Sequence, residues 1–380
     1  MPNRFGSIAR HGIGTARAAL PDLRSQHVES TARWSTARAK SWSEDTGWLV
    51  GCNFTPSTAS NQLEMWQADT FDKTTIDREL GWAADLGFNS VRVFLHDLMW
   101  ELDGEAFLDR VDEVLDIADG HGIGVMAVLF DGVWHPIPRP GEQPAPRPGV
   151  HNSTWVQGPG AAVLADPRRW DTLRPYVEAV VSRFGGDSRV QVWDLFNEPD
   201  QPNAISWPQF EIAHKSSKAD GLLNKVFDWC QAVDPDQPLT AGVFVGVSGA
   251  AERVSPINRT MLSRSDVISF HSYLKRPRLE RSIELLARHD RPLLCTEWLA
   301  RPMGSTADLI EVLAQHGVGA WNWGLVDGRT QTKYPWASWL RPVRGEQEWF
   351  HEWLQADGTP YREAEADLLR RVTAAHRGPS

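Results

Sequence analysis

The chain has 380 residues, of which 41% are hydrophobic and 23% charged, a globular composition that excludes collagenous, coiled-coil and disordered classes. Its 39 Lys and Arg face 49 Asp and Glu, a formal net charge of −10, which argues against a protein built to bind nucleic acid, because phosphates call for a basic face. The length suits two ordinary domains or a single eight-fold α/β barrel, which runs from about 250 to over 400 residues.

In chain order, residues 1–40 come first and differ from the rest. They hold seven basic residues (Arg4, Arg10, Arg17, Arg24, Arg33, Arg38, Lys40) against Asp22 and Glu29, with little apolar periodicity. We read them as a basic, partly disordered extension, with residues 41–380 as one catalytic domain. From Trp48 onward short apolar runs alternate with helical patterns. Strands are predicted to begin at Trp48, Asn89, Val125, Val190, Leu239, Val267, Pro292 and Gly319. Near-continuous apolar runs are the signature of parallel strands buried on both faces. Between them, Thr75 to Leu86, Phe107 to Ala118 and Thr172 to Phe184 read as helices, and another is expected near Arg362 to Ala374.

Eight strand–helix units at a mean spacing of about 39 residues match a single-domain α/β fold, the (β/α)8 TIM barrel. A doubly wound open sheet would ordinarily place a Gly-rich phosphate loop after the first strand. Here that strand runs into GCNFTPSTASNQLEMW, which has no such loop. The longest break in the rhythm follows the third strand, from Asp131 to Trp170, rich in Pro and Gly and carrying Trp134, His135 and Trp155. Long βα loops lie where barrels bind substrates. The segment is a wall over the cleft or a floppy insertion, and the aromatics beside rigid prolines favour the wall.

Active residues in barrels stand at the C-terminal ends of strands. The second strand ends near Arg92, His96 and Asp97; the fourth in Asn197 and Glu198; the sixth in His271 and Tyr273; the seventh in Glu297 and Trp298. The eighth carries Trp321 and Trp323. Glu198 and Glu297 are the chemically loud pair, because strands four and seven can aim both carboxyls across one mouth. Glycoside cleavage needs such a pair, one carboxylic acid to protonate the departing oxygen and one carboxylate to attack the anomeric carbon or activate water. Asn197 offers an amide to a sugar hydroxyl. Arg92 offers a permanent cation and Tyr273 an O–H donor to the nucleophilic carboxylate. The 19 tryptophans, against 4 tyrosines, suit either a Trp-tolerant core or sugar-stacking platforms. Trp66, Trp100, Trp134 and Trp155 are the candidates to wall a pocket or pave a groove.

These residues resemble glycoside hydrolase clan A, most of all the cellulase-like family 5. The resemblance rests on Asn197-Glu198-Pro199, His271-Ser272-Tyr273, Thr296-Glu297-Trp298 and Trp321-Asn322-Trp323, in order on the expected strands, and covers the chain from about Trp48 to its end. It implies a (β/α)8 barrel that hydrolyses β-glycosides with retention, without metal or cofactor. Glu198 would then be the acid/base and Glu297 the nucleophile. Asn197 would hold the 2-hydroxyl, Arg92 and Tyr273 would hold Glu297, His271 would border the sugar, and Trp323 would floor the reacting subsite. His96 and Trp134 join the expected substrate-binding set. Asp131 and His135 are open candidates for polar groups at the third strand.

Metal-dependent hydrolysis would call for an H-x-H or H-E-x-x-H pattern, which the chain lacks. A carbohydrate-binding barrel of weak activity, an endo-acting glycanase and a transglycosylase remain alternatives to an exo-acting hydrolase of oligosaccharides or small glycosides. Cys52, Cys230 and Cys295 are sparse and odd in number, which suits free thiols in a reducing compartment. With no apolar secretory run at the start and no stretch near the roughly 20 residues of a membrane span, the expected location is the cytoplasm. The expected partner is a carbohydrate substrate, with neither nucleic acid nor membrane. Oligomeric state is not written in the sequence.

Overall fold

A computed structural model of the chain describes residues 33–244 and 254–376. Eight parallel strands curl into a barrel: β1 (Val50–Phe54), β2 (Ser90–Phe94), β3 (Gly124–Val128), β4 (Val190–Asp194), β5 (Leu239–Thr240), β6 (Ile268–His271), β7 (Leu293–Trp298) and β8 (Gly319–Trp323). The hydrogen-bonded ladder runs from β5 back to β1, then through β8 and β7 to β6. The last seam closes just past β5, where the Val243 N–H donates to Ser269 C=O (3.0 Å) and the His271 N–H to Val243 C=O (3.1 Å). This is the (β/α)8 barrel that the apolar runs predicted. The fifth run was expected as a strand from Leu239 to Phe244, yet only its first two residues pair fully.

Helices α2 (Lys73–Asp85), α3 (Glu105–Gly120), α4 (Arg174–Phe184), α5 (Lys215–Val233), α6 (Pro256–Arg264), α7 (Arg276–Leu286), α8 (Leu309–Gln315) and α9 (Glu363–His376) follow the eight strands in turn, after α1 (Thr36–Thr46). In α3 the buried residues Phe107, Leu108, Val111, Val114, Leu115 and Ala118 recur every three or four positions, so one stripe faces the strands. The Asp72 carboxylate caps α2 by accepting from the Thr75 N–H at 3.1 Å. Tight strand spacing also constrains sequence: a side chain at Gly51 would stand 1.6 Å from the Ser90 carbonyl on β2.

The extension expected to be partly disordered over residues 1–40 falls mostly outside the described residues. Residues 33–40 are ordered, while 1–32 lie outside the described residues. Trp34 and Ala39 pack with Leu49, Met126, Val192, Val267, Leu294 and Trp321 and close the N-terminal end of the barrel. The Trp34 N–H donates to Asp266 Oδ1 (2.7 Å), and Arg291 Nη2 donates to the Trp34 carbonyl (2.9 Å). The apolar signal is a Trp and an Ala among arginines, too sparse to read as a packed element from sequence.

Candidate active site

Above this apolar plug the barrel interior turns polar. Asn53, Arg92, Asp194, Thr240, Ser269, Thr296 and Asn322 come from seven different strands and are all buried. Arg92 sits at the centre and is fully enclosed. Its Nε and Nη2 donate to Asp194 Oδ2 at 3.1 and 2.8 Å. Its Nη1 donates to Asn53 Oδ1 (2.6 Å) and Glu297 Oε1 (3.4 Å), and Nη2 also reaches Asn197 Oδ1 (2.8 Å). A buried guanidinium survives only when its donors are matched in this way; removing one partner of such a pair costs about 3–5 kcal/mol.

On this layer stand the two glutamates. One carboxyl oxygen of Glu198, one of Glu297 and a ring nitrogen of His271 all lie within 4.8 Å of one another. The Glu198 Oε1 to His271 Nδ1 distance is 2.8 Å, and Tyr273 O–H donates to Glu297 Oε2 at 2.7 Å. Glu198 occupies a left-handed backbone conformation, φ 41°, costing about 1–2 kcal/mol for a residue with a Cβ. Its chain passes so close to Gly132 that a Cβ there would stand 2.3 Å from the Glu198 carbonyl.

Burial raises the Glu198 carboxyl to about 7, against the opposing charges of Arg92 and Lys215. Burial likewise raises Glu297 to about 7, with the Glu198 charge adding to it, and Arg92 and the Tyr273 hydroxyl working the other way. Burial lowers His271 to about 4, so its ring is neutral at neutral pH. The pair therefore shares a proton across neutral pH, and the donors on Glu297 assign the ionised form to it. The trio also offers three ligand atoms to a divalent cation, although a neutral imidazole and a shared proton equally fit acid–base chemistry.

The cavity above the glutamates measures about 480 Å³, and Trp134, Asn197, Tyr273, Trp323, Trp336 and Trp339 help to line it. Trp134 and Trp339 stack face to face, 5.4 Å between centroids and 12° between planes. The long loop after β3 makes one wall and is bolted down. The Gly149 N–H donates to Gln331 Oε1 (3.0 Å), the His151 N–H to Ser338 Oγ (2.9 Å), and Trp339 Nε1 to the His151 carbonyl (2.8 Å). Asn61 Nδ2 donates to the Thr154 carbonyl (2.9 Å) from the other side. Of the two sequence readings, wall and floppy insertion, the geometry selects the wall.

The comparisons with known proteins agree with this geometry. Residues 51–329 match the cellulase family (glycosyl hydrolase family 5). The chain belongs to that family. No curated protein matches the sequence. Among solved structures it is similar to a GH5_18 enzyme from Streptomyces cattleya in complex with Manβ1-4GlcNAc, with a TM-score of 0.61 and 16% identity over 87% of this chain and 82% of that one. It is similar to a β-glucosidase, with a TM-score of 0.57 and 15% identity over 87% and 100%. A β-1,4-mannanase from Aplysia kurodai gives a TM-score of 0.51 and 18% identity over 73% and 88%. At these identities the likeness is one of fold. As a family 5 member the chain is an O-glycoside hydrolase.

In this family 5 barrel, Arg92, Asn197, Glu198, His271, Tyr273, Glu297 and Trp323 come together as the sequence placed them, and Trp134 joins them from the loop. His96 does not reach the cavity. Its Nε2 meets the Gln157 carbonyl (2.9 Å) and its Nδ1 accepts from the Leu98 N–H (3.1 Å), so both ring nitrogens serve the scaffold. Trp66 and Trp155 are likewise corrected from cleft wall to interior. Trp66 Nε1 donates to the Phe94 carbonyl (2.7 Å), and Trp155 lies beneath Trp323, 5.5 Å between centroids. Trp100 packs against the helical layer rather than the cavity. His135 meets Trp207 edge-on at 4.3 Å, outside the cavity lining.

Asp131 has a role, but behind the site. Its Oδ1 accepts from Asn197 Nδ2 (3.0 Å) and its Oδ2 from Trp155 Nε1 (2.6 Å). Sequence reasoning missed Asn53 and Asp194, which sit inside strands where a polar residue among apolar neighbours was the one available signal. It also missed His151, Asn152, Trp336 and Trp339, brought to the cavity by loops remote in sequence.

Proposed function

We propose that the chain is a retaining, exo-acting β-glycosidase in which Glu297 is the nucleophile and Glu198 the acid/base. The observation that supports this most is the convergence of their oxygens within 4.8 Å. Carboxyls about 5–5.5 Å apart carry out double displacement, whereas inversion needs roughly 6.5–9.5 Å to admit water between carboxyl and sugar.

In the first step a Glu297 oxygen attacks the anomeric carbon. The Glu198 proton passes to the glycosidic oxygen, that C–O bond breaks, and the leaving group departs as an alcohol. In the second, the Glu198 carboxylate takes a proton from water. The water oxygen bonds to the anomeric carbon and Glu297 leaves as a carboxylate. Asn197 is oriented for this chemistry. Its Oδ1 is taken by Arg92 and one Nδ2 hydrogen by Asp131, so the second hydrogen is available to a 2-hydroxyl. Arg92 and Tyr273 are positioning residues that keep Glu297 ionised.

Exo action is supported by the bonding between the loop after β3 and the loop after β8, which closes one side of the cavity where a groove would stay open. The glycone we assign is gluco- or manno-configured, since the similar structures include a β-glucosidase and an enzyme holding Manβ1-4GlcNAc. Three buried, unpaired cysteines support function in a reducing compartment, and no helix among the described residues is long and apolar enough to cross a membrane.

The test is a pair of variants on 4-nitrophenyl and alkyl β-glucosides and β-mannosides. Glu198→Ala keeps the first step on the nitrophenyl substrate, whose leaving group needs no proton, and loses it on the alkyl glycoside. Equal losses on both overturn the assignment. Full activity in EDTA is expected, and loss of activity reversed by a divalent ion would put a metal between the three ligand atoms instead.

A further inference from the structure

Asn197 answers the 2-hydroxyl, Glu297 the anomeric carbon and Glu198 the departing oxygen, which leaves the hydroxyls at C3, C4 and C6 of the glycone to other groups. His96, expected among the sugar-binding residues, spends both ring nitrogens on the scaffold. Tyr273 holds Glu297. Gln201, Asn203 and Ser206 belong to the loop that begins at Glu198 and so stand on the leaving-group side. Tryptophans apart, two polar residues of the cavity lining remain, His151 and Asn152, both on the loop after β3. The His151 Nδ1–H donates to the Tyr334 carbonyl (2.8 Å), which ties that ring to the loop after β8.

Asn152 is 1% exposed, and neither its Oδ1 nor its Nδ2 has a partner. Among the described residues that line the cavity, it alone carries buried side-chain polar atoms in that condition. Burying a donor and an acceptor unpaired is costly, so a native protein keeps such a group for a purpose. The backbone around it is fixed. Its N–H donates to the Thr330 carbonyl (2.9 Å), and its carbonyl accepts from the N–H of Trp155 (3.2 Å), the indole that lies against Trp323. The left-handed backbone of Asn152, φ 45°, is one that asparagine tolerates. That suits the residue type to the turn and leaves the unmet amide to be explained.

The bonds between the loops after β3 and β8 close the cavity at this wall. In a pyranose whose C1 is at Glu297, the far end of the ring carries the 3- and 4-hydroxyls. An amide sets one acceptor beside one donor, and two neighbouring equatorial hydroxyls supply the complementary pair. We propose that Asn152 binds the 3- and 4-hydroxyls of a terminal sugar and so selects glycones in which both are equatorial, the gluco and manno configurations. A galacto-configured sugar turns its 4-hydroxyl away from the amide, and a sugar already substituted at O4 cannot fill the site. The proposal rests on the glycosidase reading above and names the side chain that reads the non-reducing end.

The experiment measures kcat/KM for 4-nitrophenyl β-D-glucoside and mannoside and for their 3-deoxy, 4-deoxy and 6-deoxy analogues, on the wild type and on Asn152→Gly. Glycine adopts the left-handed backbone freely and keeps the N–H that Thr330 accepts, so the variant removes the amide alone. The wild-type penalty for losing the 3- or the 4-hydroxyl is expected to exceed that of the variant by about tenfold to a hundredfold. Intrinsic reactivity cancels in this comparison. The 6-deoxy penalty is expected to be the same in both proteins. Equal 3- and 4-deoxy penalties in the two proteins would mean that the residue serves the turn alone and would overturn the proposal, as would a difference confined to the 6-deoxy substrates.

If the variant does not fold, the wild type decides. The 4-epimer of its better substrate is expected to be cleaved at least about tenfold more slowly, and equal cleavage refutes the assignment. The two readings fail separately. If no glycoside turns over, the glycosidase reading has failed, and saturation-transfer NMR with methyl β-D-glucopyranoside and mannopyranoside still reads the contact. Binding to the wild type that is lost in Asn152→Gly supports the role of the amide; binding equal in both proteins, or absent from both, refutes it.

Discussion

At the N-terminal end of the barrel, Trp34, Leu49, Met126, Val192, Val267, Leu294 and Trp321 fill the bore with apolar atoms, and the polar groups beside them are matched. Asp266 accepts from the Trp34 and Leu239 N–H groups (2.7 and 2.8 Å), and Arg291 donates to the Asp266 and Trp34 carbonyls (both 2.9 Å). At the C-terminal end the rules relax. Trp134, Asn152, Glu198, Leu299 and Gln331 all take positive φ angles, whereas the two non-glycine residues that do so in the turns leading into β5 and β7 are Asp234 and Asp290, a residue type that tolerates the left-handed region. Both amide atoms of Asn152 and the Nε2 of His271 are buried without a partner. Carboxyls are pushed to near-neutral values. One end is built for stability and the other stores strain and unmet polarity where a ligand can relieve them. Residues at the two ends should therefore fail differently when changed.

The largest effect is expected at the strained end. Glu297→Gln removes the attacking carboxylate and lowers turnover about 10⁴-fold, with melting temperature within a few degrees of wild type, since the amide keeps an acceptor among the Arg92 and Tyr273 donors. Steady-state kinetics beside calorimetry checks both halves. The converse is Trp34→Ala at the plugged end. It costs about 3–5 kcal/mol in denaturant unfolding and leaves kcat of the folded fraction within twofold. A Trp34→Ala protein that lost kcat without losing stability would break the contrast.

Tyr273→Phe comes next. It removes an O–H donor from the ionised form of Glu297, so the carboxyl is harder to ionise and its pKa rises further. The acid limb of the pH–kcat/KM profile moves to higher pH, and the value at the optimum falls about tenfold to a hundredfold. An unmoved acid limb would mean that this hydroxyl does not tune the nucleophile.

The smallest effect concerns Glu352, a buried carboxyl behind the site. Burial raises it to about 8, and it accepts a hydrogen bond from Thr332 Oγ1. An unfolded glutamate ionises near 4.3, so between there and about 8 the native state holds the extra proton, and stability falls as pH rises through that window. Glu352→Gln keeps an acceptor for Thr332 and cannot ionise. Its melting temperature should exceed wild type by a few degrees near pH 8, roughly 1 kcal/mol, with the gap closing towards pH 5. A constant gap would remove the titration from the account.

The two ends were also unequally legible. Strands were readable because both faces of β1, β2 and β8 are buried and apolar residues outnumber the few polar ones, Asn53, Ser90, Arg92 and Asn322, in their sequences. Glu198 and Glu297 were readable because each stands where such a run stops. Asn53 and Asp194 were not, because a single polar residue inside a strand does not reveal that it points into the bore at Arg92. Tryptophan was the least legible residue. Trp66 and Trp155 look like Trp134 in the sequence, yet the first two bury their indoles and donate Nε1 to Phe94 and Asp131, while the third faces the cavity. Sorting them requires the long-range bonds between the loops after β3 and β8, which no local pattern encodes.

The central claim is that Glu198 and Glu297 converge on one glycosidic bond with Glu297 as the attacking group. Incubation with 2-deoxy-2-fluoro-β-D-glucosyl or mannosyl fluoride, followed by peptide mass spectrometry, tests it directly, because the 2-fluorine slows both formation and release of the glycosyl ester while the fluoride leaving group speeds formation alone, so the ester accumulates. The account predicts a single stoichiometric adduct on Glu297. An adduct on Glu198 or on any other side chain would contradict it.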